Sequence, residues 1–136
     1  MTKRPADVWL AGRTLGWMIS LALLKHLLPL PTLVRLMWSK PRRSLGQSDE
    51  RVAGIAARVV GVSRGNCLDR SLIVYRLLSR AGSNPTLVIG FGRQSDVIGH
   101  TWVTVRGRPL LEDSASLAAY TEFVAFGVNG AQSTGR

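Results

Sequence analysis

From Val8 to Trp38 the chain is dense in Leu, Trp and Met. The spacing predicts one helix over 6–28 that is apolar almost all round, the pattern of a helix buried against neighbours. Pro29 and Pro31 end it, and a shorter helix follows from Thr32 to Ser39. Residues 40–48, KPRRSLGQS, read as a basic polar connector. Ser48 is a suitable N-cap for the next helix, with Asp49 and Glu50 in its first turn. Val52, Ile55 and Val59 recur at helical spacing, and Gly61 closes that segment. A further helix begins at Cys67, with Leu68, Leu72, Tyr75 and Leu78 or Ser79 on one side. Arg70, Arg76 and Arg80 lie on the other, and Gly82 is the stop.

The period then changes from about four to two. PTLVIGFG (85–92) is rich in strand formers. VIGHTWVTV (97–105) alternates, with Ile98, His100, Trp102 and Thr104 on one face and Val97, Thr101, Val103 and Val105 on the other. RGRP (106–109) reads as a turn and LLED (110–113) as a short third strand. LAAYTEFVAFG (117–127) suggests a final helix, and NGAQSTGR a frayed tail. Helices first and a small antiparallel sheet afterwards make the fold class α+β. The expected organisation is a helical N-terminal segment over 1–47, a core over 48–127 and a tail over 128–136.

Charge narrows the setting. Lys and Arg number 18 against 8 acids, and ten of the bases lie in residues 1–63 with three acids. Such an excess suits nucleic acid, an anionic membrane surface or an acidic partner. Trp9, Trp17 and Trp38 fall in helix-like runs and read as packing residues rather than base-stacking platforms, so no nucleic acid is expected. The longest uncharged run in the Leu-rich stretch, Thr14 to Leu24, has eleven residues, against about twenty for a membrane span. MTKR could open a signal peptide, but no small-x-small cleavage site follows the apolar stretch. One cysteine excludes an internal disulfide framework and suits a reducing compartment. A cytoplasmic location is therefore expected, with peripheral membrane contact through residues 6–43 as an alternative.

That cysteine is the first candidate for chemistry. Unsatisfied N–H groups and the positive end of the dipole at a helix start stabilise a thiolate, a common preparation of a cysteine nucleophile. The plain alternative is an inert, packed thiol. His100, on the alternating strand, supplies an imidazole that could take the thiol proton. Glu112 and Asp113 return beside that strand after the turn, and one of the two could orient the imidazole. Alternation allows only one to face it, and the sequence leaves open which. Asn66 and the Cys67 N–H are candidates to hold an oxyanion. GFG lacks the third glycine of a dinucleotide fingerprint, and His26 sits among leucines without a ligand partner. No cofactor and no metal are expected.

The stretch CLDRSLIVYRLLSRAG…TLVIGFGR…GHTWVTVRGRPLLED resembles the B2 proteins of lasso-peptide biosynthesis, leader peptidases of the transglutaminase-like cysteine protease superfamily. The shared residues are Cys67, Leu68, Arg70, Ser71 and Leu72, then Leu87, Ile89 and Gly90, then His100, Trp102 and Val103. Thr101 replaces a usual Ala and Thr104 a frequent Glu. The resemblance implies a transglutaminase- or papain-like core and a Cys67–His100–acid triad, with the acid at Glu112 by count or Asp113 by residue type. It implies removal of the leader from a ribosomally made precursor peptide. The implied partners are a separate B1 leader-recognition protein and an ATP-dependent lasso cyclase. An acyltransferase or amidase with the same triad is the nearest alternative. A non-catalytic basic adaptor that binds a membrane or a partner is a more distant one.

Overall fold

The computed structural model describes residues 5–40, 49–62, 67–92, 99–111, 117–118 and 120–134. Four helices come first: α1 (Pro5–Leu27), α2 (Leu30–Met37), α3 (Asp49–Val62) and α4 (Cys67–Arg80). Five strands follow: β1 (Thr86–Gly92), β2 (Gly99–Val105), β3 (Arg108–Leu110), β4 (Tyr120–Phe126) and β5 (Gln132–Thr134). They form one antiparallel sheet in the order β3-β2-β1-β4-β5. The architecture is α+β, as the order of periods predicts.

The helix α4 is the hub. Leu72, Ile73, Val74, Tyr75, Leu77 and Leu78 are all buried, so apolar side chains meet neighbours almost all round it. They share one core with Leu10 of α1, Leu33, Val34 and Met37 of α2, Val52, Ala53 and Ala56 of α3, and the sheet residues Leu87, Val103 and Val124. Gly82, at φ 85, ends α4 in a left-handed cap. The Ser83 N–H donates to the Leu78 carbonyl and the Gly82 N–H to the Ser79 carbonyl, the paired bonds of a Schellman motif. Arg76 fastens the helices together. Its guanidinium donates to the Leu36 and Trp38 carbonyls at the end of α2 and lies 4.9 Å from the centre of the Trp17 ring of α1.

Several expectations need correction. The second helix runs from Leu30 to Met37 rather than from Thr32 to Ser39, so Pro31 does not help to end the first helix but sits in the first turn of the second, where a missing N–H costs nothing. Residues 120–126 form a strand, not a helix, and pair along β1. The frayed tail is instead a short 3-10 turn, Val128–Gly130, followed by β5, which pairs with β4. Gly130 lets this return segment lie against α2, since a Cβ there would stand 2.8 Å from the Arg35 Cα. The turn is tighter than RGRP. Arg106 and Gly107, at φ 55 and 76, form a two-residue hairpin of the I′ kind, and Arg108 and Pro109 already belong to β3. That strand ends at Leu110, and Leu111 turns off at φ 67. Ser48 and the rest of the 41–48 connector lie outside the described residues.

Candidate active site

The hairpin fixes which way β2 turns its backbone. In a two-residue hairpin the closing pair, here Val105↔Arg108, exchanges hydrogen bonds. Every second residue back along β2, Val103 and then Thr101, therefore points its N–H and C=O toward the β3 side. Pro109, which has no N–H, falls opposite Thr104, where the ladder requires no donor. The described ladder stops at Val103↔Leu110. One step further, the Thr101 carbonyl is taken by α4, whose Ser71 hydroxyl donates to it at 3.0 Å. The first turns of α4 thus abut the β2 edge where β3 leaves off.

This bond sets the level of the two principal candidates. Cys67 is the first residue of α4 and a half-buried free thiol, one helical turn or about 6 Å before Ser71. His100 lies about 3.3 Å before Thr101 along β2. Arg70, Ser71 and Val74 line one small cleft with Trp102, Val103, Leu110 and Leu111. Cys67 and His100 each precede in the chain one partner of the Ser71–Thr101 bond.

The imidazole is held by aromatic rings. His100 stacks on Tyr120 at 4.9 Å and on Trp102 at 5.7 Å between ring centroids. Trp102 belongs to a second apolar cluster with Val88 and Ala125, on the face of the sheet turned away from the helical core. The His100 ring therefore stands on that outer face, whereas α4 packs on the core side of the sheet. Gly90 makes the stack possible. It pairs with His100 across the sheet, and a Cβ on it would lie 2.9 Å from the Trp102 ring and 2.8 Å from the Thr121 carbonyl. The indole thus lies directly over bare backbone.

Three sequence candidates, Asn66, Glu112 and Asp113, lie outside the described residues, as does the side chain of His26. Asp69 is not the solvated charge that its place beside Arg70 suggests. It is buried in the first turn of α4, two residues after the thiol. Tyr120 was missed as a neighbour of His100 because its segment reads as helix. Its tyrosine–threonine–glutamate–phenylalanine run is strand-forming in type, and that was the available signal. Among the described residues no group of three metal-ligating side chains comes together.

A helical layer, a five-strand antiparallel sheet, a cysteine opening the central helix and a histidine on the adjoining strand are the parts of a transglutaminase-like core. The family model described as the transglutaminase-like superfamily matches residues 15–125, and the chain belongs to that superfamily, which includes cysteine proteases and acyltransferases. No curated protein and no solved structure gives a significant match.

Proposed function

We infer that the protein is a cysteine peptidase that removes the leader from a lasso-peptide precursor. The observation that supports the reading is the Ser71–Thr101 bond, which ties the helix opened by Cys67 to the residue next to His100 within a transglutaminase-like fold. The motif residues support it further, since Ser71 and Gly90 each have a structural task beside these two groups.

In this reading Cys67 Sγ attacks the scissile carbonyl and forms the carbon–sulfur bond, while His100 takes the thiol proton. The Cys67 N–H and Asn66 hold the oxyanion. Collapse of the tetrahedral intermediate breaks the carbon–nitrogen bond, and His100 returns the proton to the departing amine. Water, deprotonated by His100, then hydrolyses the thioester and frees the thiol. Glu112 or Asp113 orients the imidazole. A separate leader-recognition protein presents the precursor, and an ATP-dependent cyclase closes the ring afterwards.

An acyltransferase uses the same first half and differs in what attacks the thioester. Incubating precursor with the protein and its leader-recognition partner, then weighing the products, separates the readings. A free leader carboxylate is expected. Transfer of the leader acyl group to an added amine in preference to water would favour the acyltransferase. An intact precursor would leave only a binding role.

A further inference from the structure

The helix α1 buries one side and leaves the other bare. Leu10 and Thr14 face the core. Val8, Leu15, Ile19, Leu23 and Leu27 follow each other at steps of seven and then four residues along the opposite side, and the last three are 64%, 67% and 76% exposed. The stripe runs about 28 Å along the helix. Apolar strips of this length are uncommon on surfaces that face only water.

The charge around the strip is of one sign. Residues 1–48 contain eight Lys or Arg against the single acid Asp7. Beside the N-terminal half of the strip, Trp9 is partly exposed and carries two guanidiniums, Arg13 at 5.1 Å and Arg80 at 5.7 Å from its ring. Among the described residues no carboxylate pairs with either. Burial, and after it the neighbouring Arg80 charge, lower the proton affinity of Arg13, and an anion placed there would offset both. A tryptophan flanked by cations at the margin of an apolar strip suits the boundary between lipid headgroups and acyl chains. No described helix is long and apolar enough to cross a membrane, and the inner side of α1 is engaged by the core.

We propose that α1 lies in the plane of an anionic lipid surface, with its Val8–Leu27 strip among the acyl chains and Arg13 and Arg80 against headgroup phosphates. The proposal does not rest on the peptidase reading, because the strip contains none of the candidate catalytic residues. It specifies a surface-bound protein rather than a spanning one.

Sedimentation of the full chain with phosphatidylcholine vesicles, with and without phosphatidylglycerol, tests it. Uptake is expected on the anionic vesicles and not on the neutral ones, and it should weaken as salt is added. The double variant I19S/L23S should lose roughly tenfold or more in partitioning while its circular dichroism stays unchanged. Removing Arg13 or Arg80 as R13Q or R80Q should cost about fivefold each. Gly16 sits beside the strip with open space where its Cβ would be. G16L should therefore strengthen vesicle uptake by adding apolar area. If wild type fails to sediment with anionic vesicles at low salt, the proposal is wrong. It is equally wrong if I19S/L23S binds as tightly as wild type. A concentration-dependent dimer that G16L abolishes, without vesicle uptake, would assign the strip to a second copy instead.

Discussion

The Ser71 hydroxyl donates to the Thr101 carbonyl, so the residue one turn after Cys67 is bonded to the residue next to His100. Both partners are buried. Ser71→Ala leaves that carbonyl without its donor and should cost about 1–3 kcal/mol, read as a lower denaturant midpoint. If the bond also positions the reacting groups, the variant should lose kcat on the precursor with KM nearly unchanged. Ser71→Thr, which keeps the hydroxyl, should recover part of the loss.

Cys67→Ala should abolish precursor cleavage with the fold intact by circular dichroism. His100→Ala should do nearly the same, and it should also slow alkylation of Cys67 by iodoacetamide near neutral pH, because the imidazole no longer takes the thiol proton. Equal alkylation rates in wild type and His100→Ala would separate the two side chains functionally.

The third member is decided by two conservative substitutions. Asp113→Asn and Glu112→Gln remove charge with little change in size, and only the residue that orients the imidazole should lower kcat by orders of magnitude. Similar modest effects from both would mean that neither acts on His100.

Gly90→Ala places a methyl group within 3 Å of the Trp102 ring and the Thr121 carbonyl. Overpacking of this kind costs about 1–3 kcal/mol. It should also push the indole off its seat and disturb the His100 stack. The expected result is a lower melting temperature together with slower cleavage, and a shift in the tryptophan fluorescence.

Tyr75 gives the fold an alkaline limit. Its hydroxyl donates to the Gly127 carbonyl, and its ring is fully buried in the core. Burial pushes its pKa up from 10.0 to about 12, although a backbone hydrogen bond at Gly130 opposes this. The unfolded chain releases the phenolic proton near pH 10 and the folded protein only near 12. The stability tied to the neutral phenol is thus intact below pH 10 and is lost as pH rises through 12, by about 2–3 kcal/mol in all. Urea unfolding at pH 8 and pH 11 should show about half of this loss in wild type, and a smaller one in Tyr75→Phe.

The sequence made α4 and β2 legible because each keeps one period. Helical spacing runs from Leu68 to Leu78 and stops at Gly82, and alternation carries His100 and Trp102 to one face, where their rings stack. The strand β4 was hidden because its alternation is broken. Opposite Ile89 and Gly90 the register shifts by one residue, with Val124 and Glu122 as their partners, so Phe123 is a bulge. Leu117 and Ala118 precede it and favour a helix locally, but pairing with β1 decides the outcome. The Ser71–Thr101 bond joins positions 30 apart and leaves no trace in any local pattern. The seat that Gly90 gives to Trp102 is equally non-local: the motif showed the glycine, and only the sheet shows what rests on it.

Arg76 reaches from the central helix to the end of the second and to an indole of the first. Deleting the basic N-terminal third of the chain would therefore strip Arg76 of these partners and remove Leu10, Leu33, Val34 and Met37 from the core at one stroke. The stretch that sequence composition sets apart as an appendage is structurally a wall of the same chamber, so a truncated chain would lose its foundation rather than a docking arm.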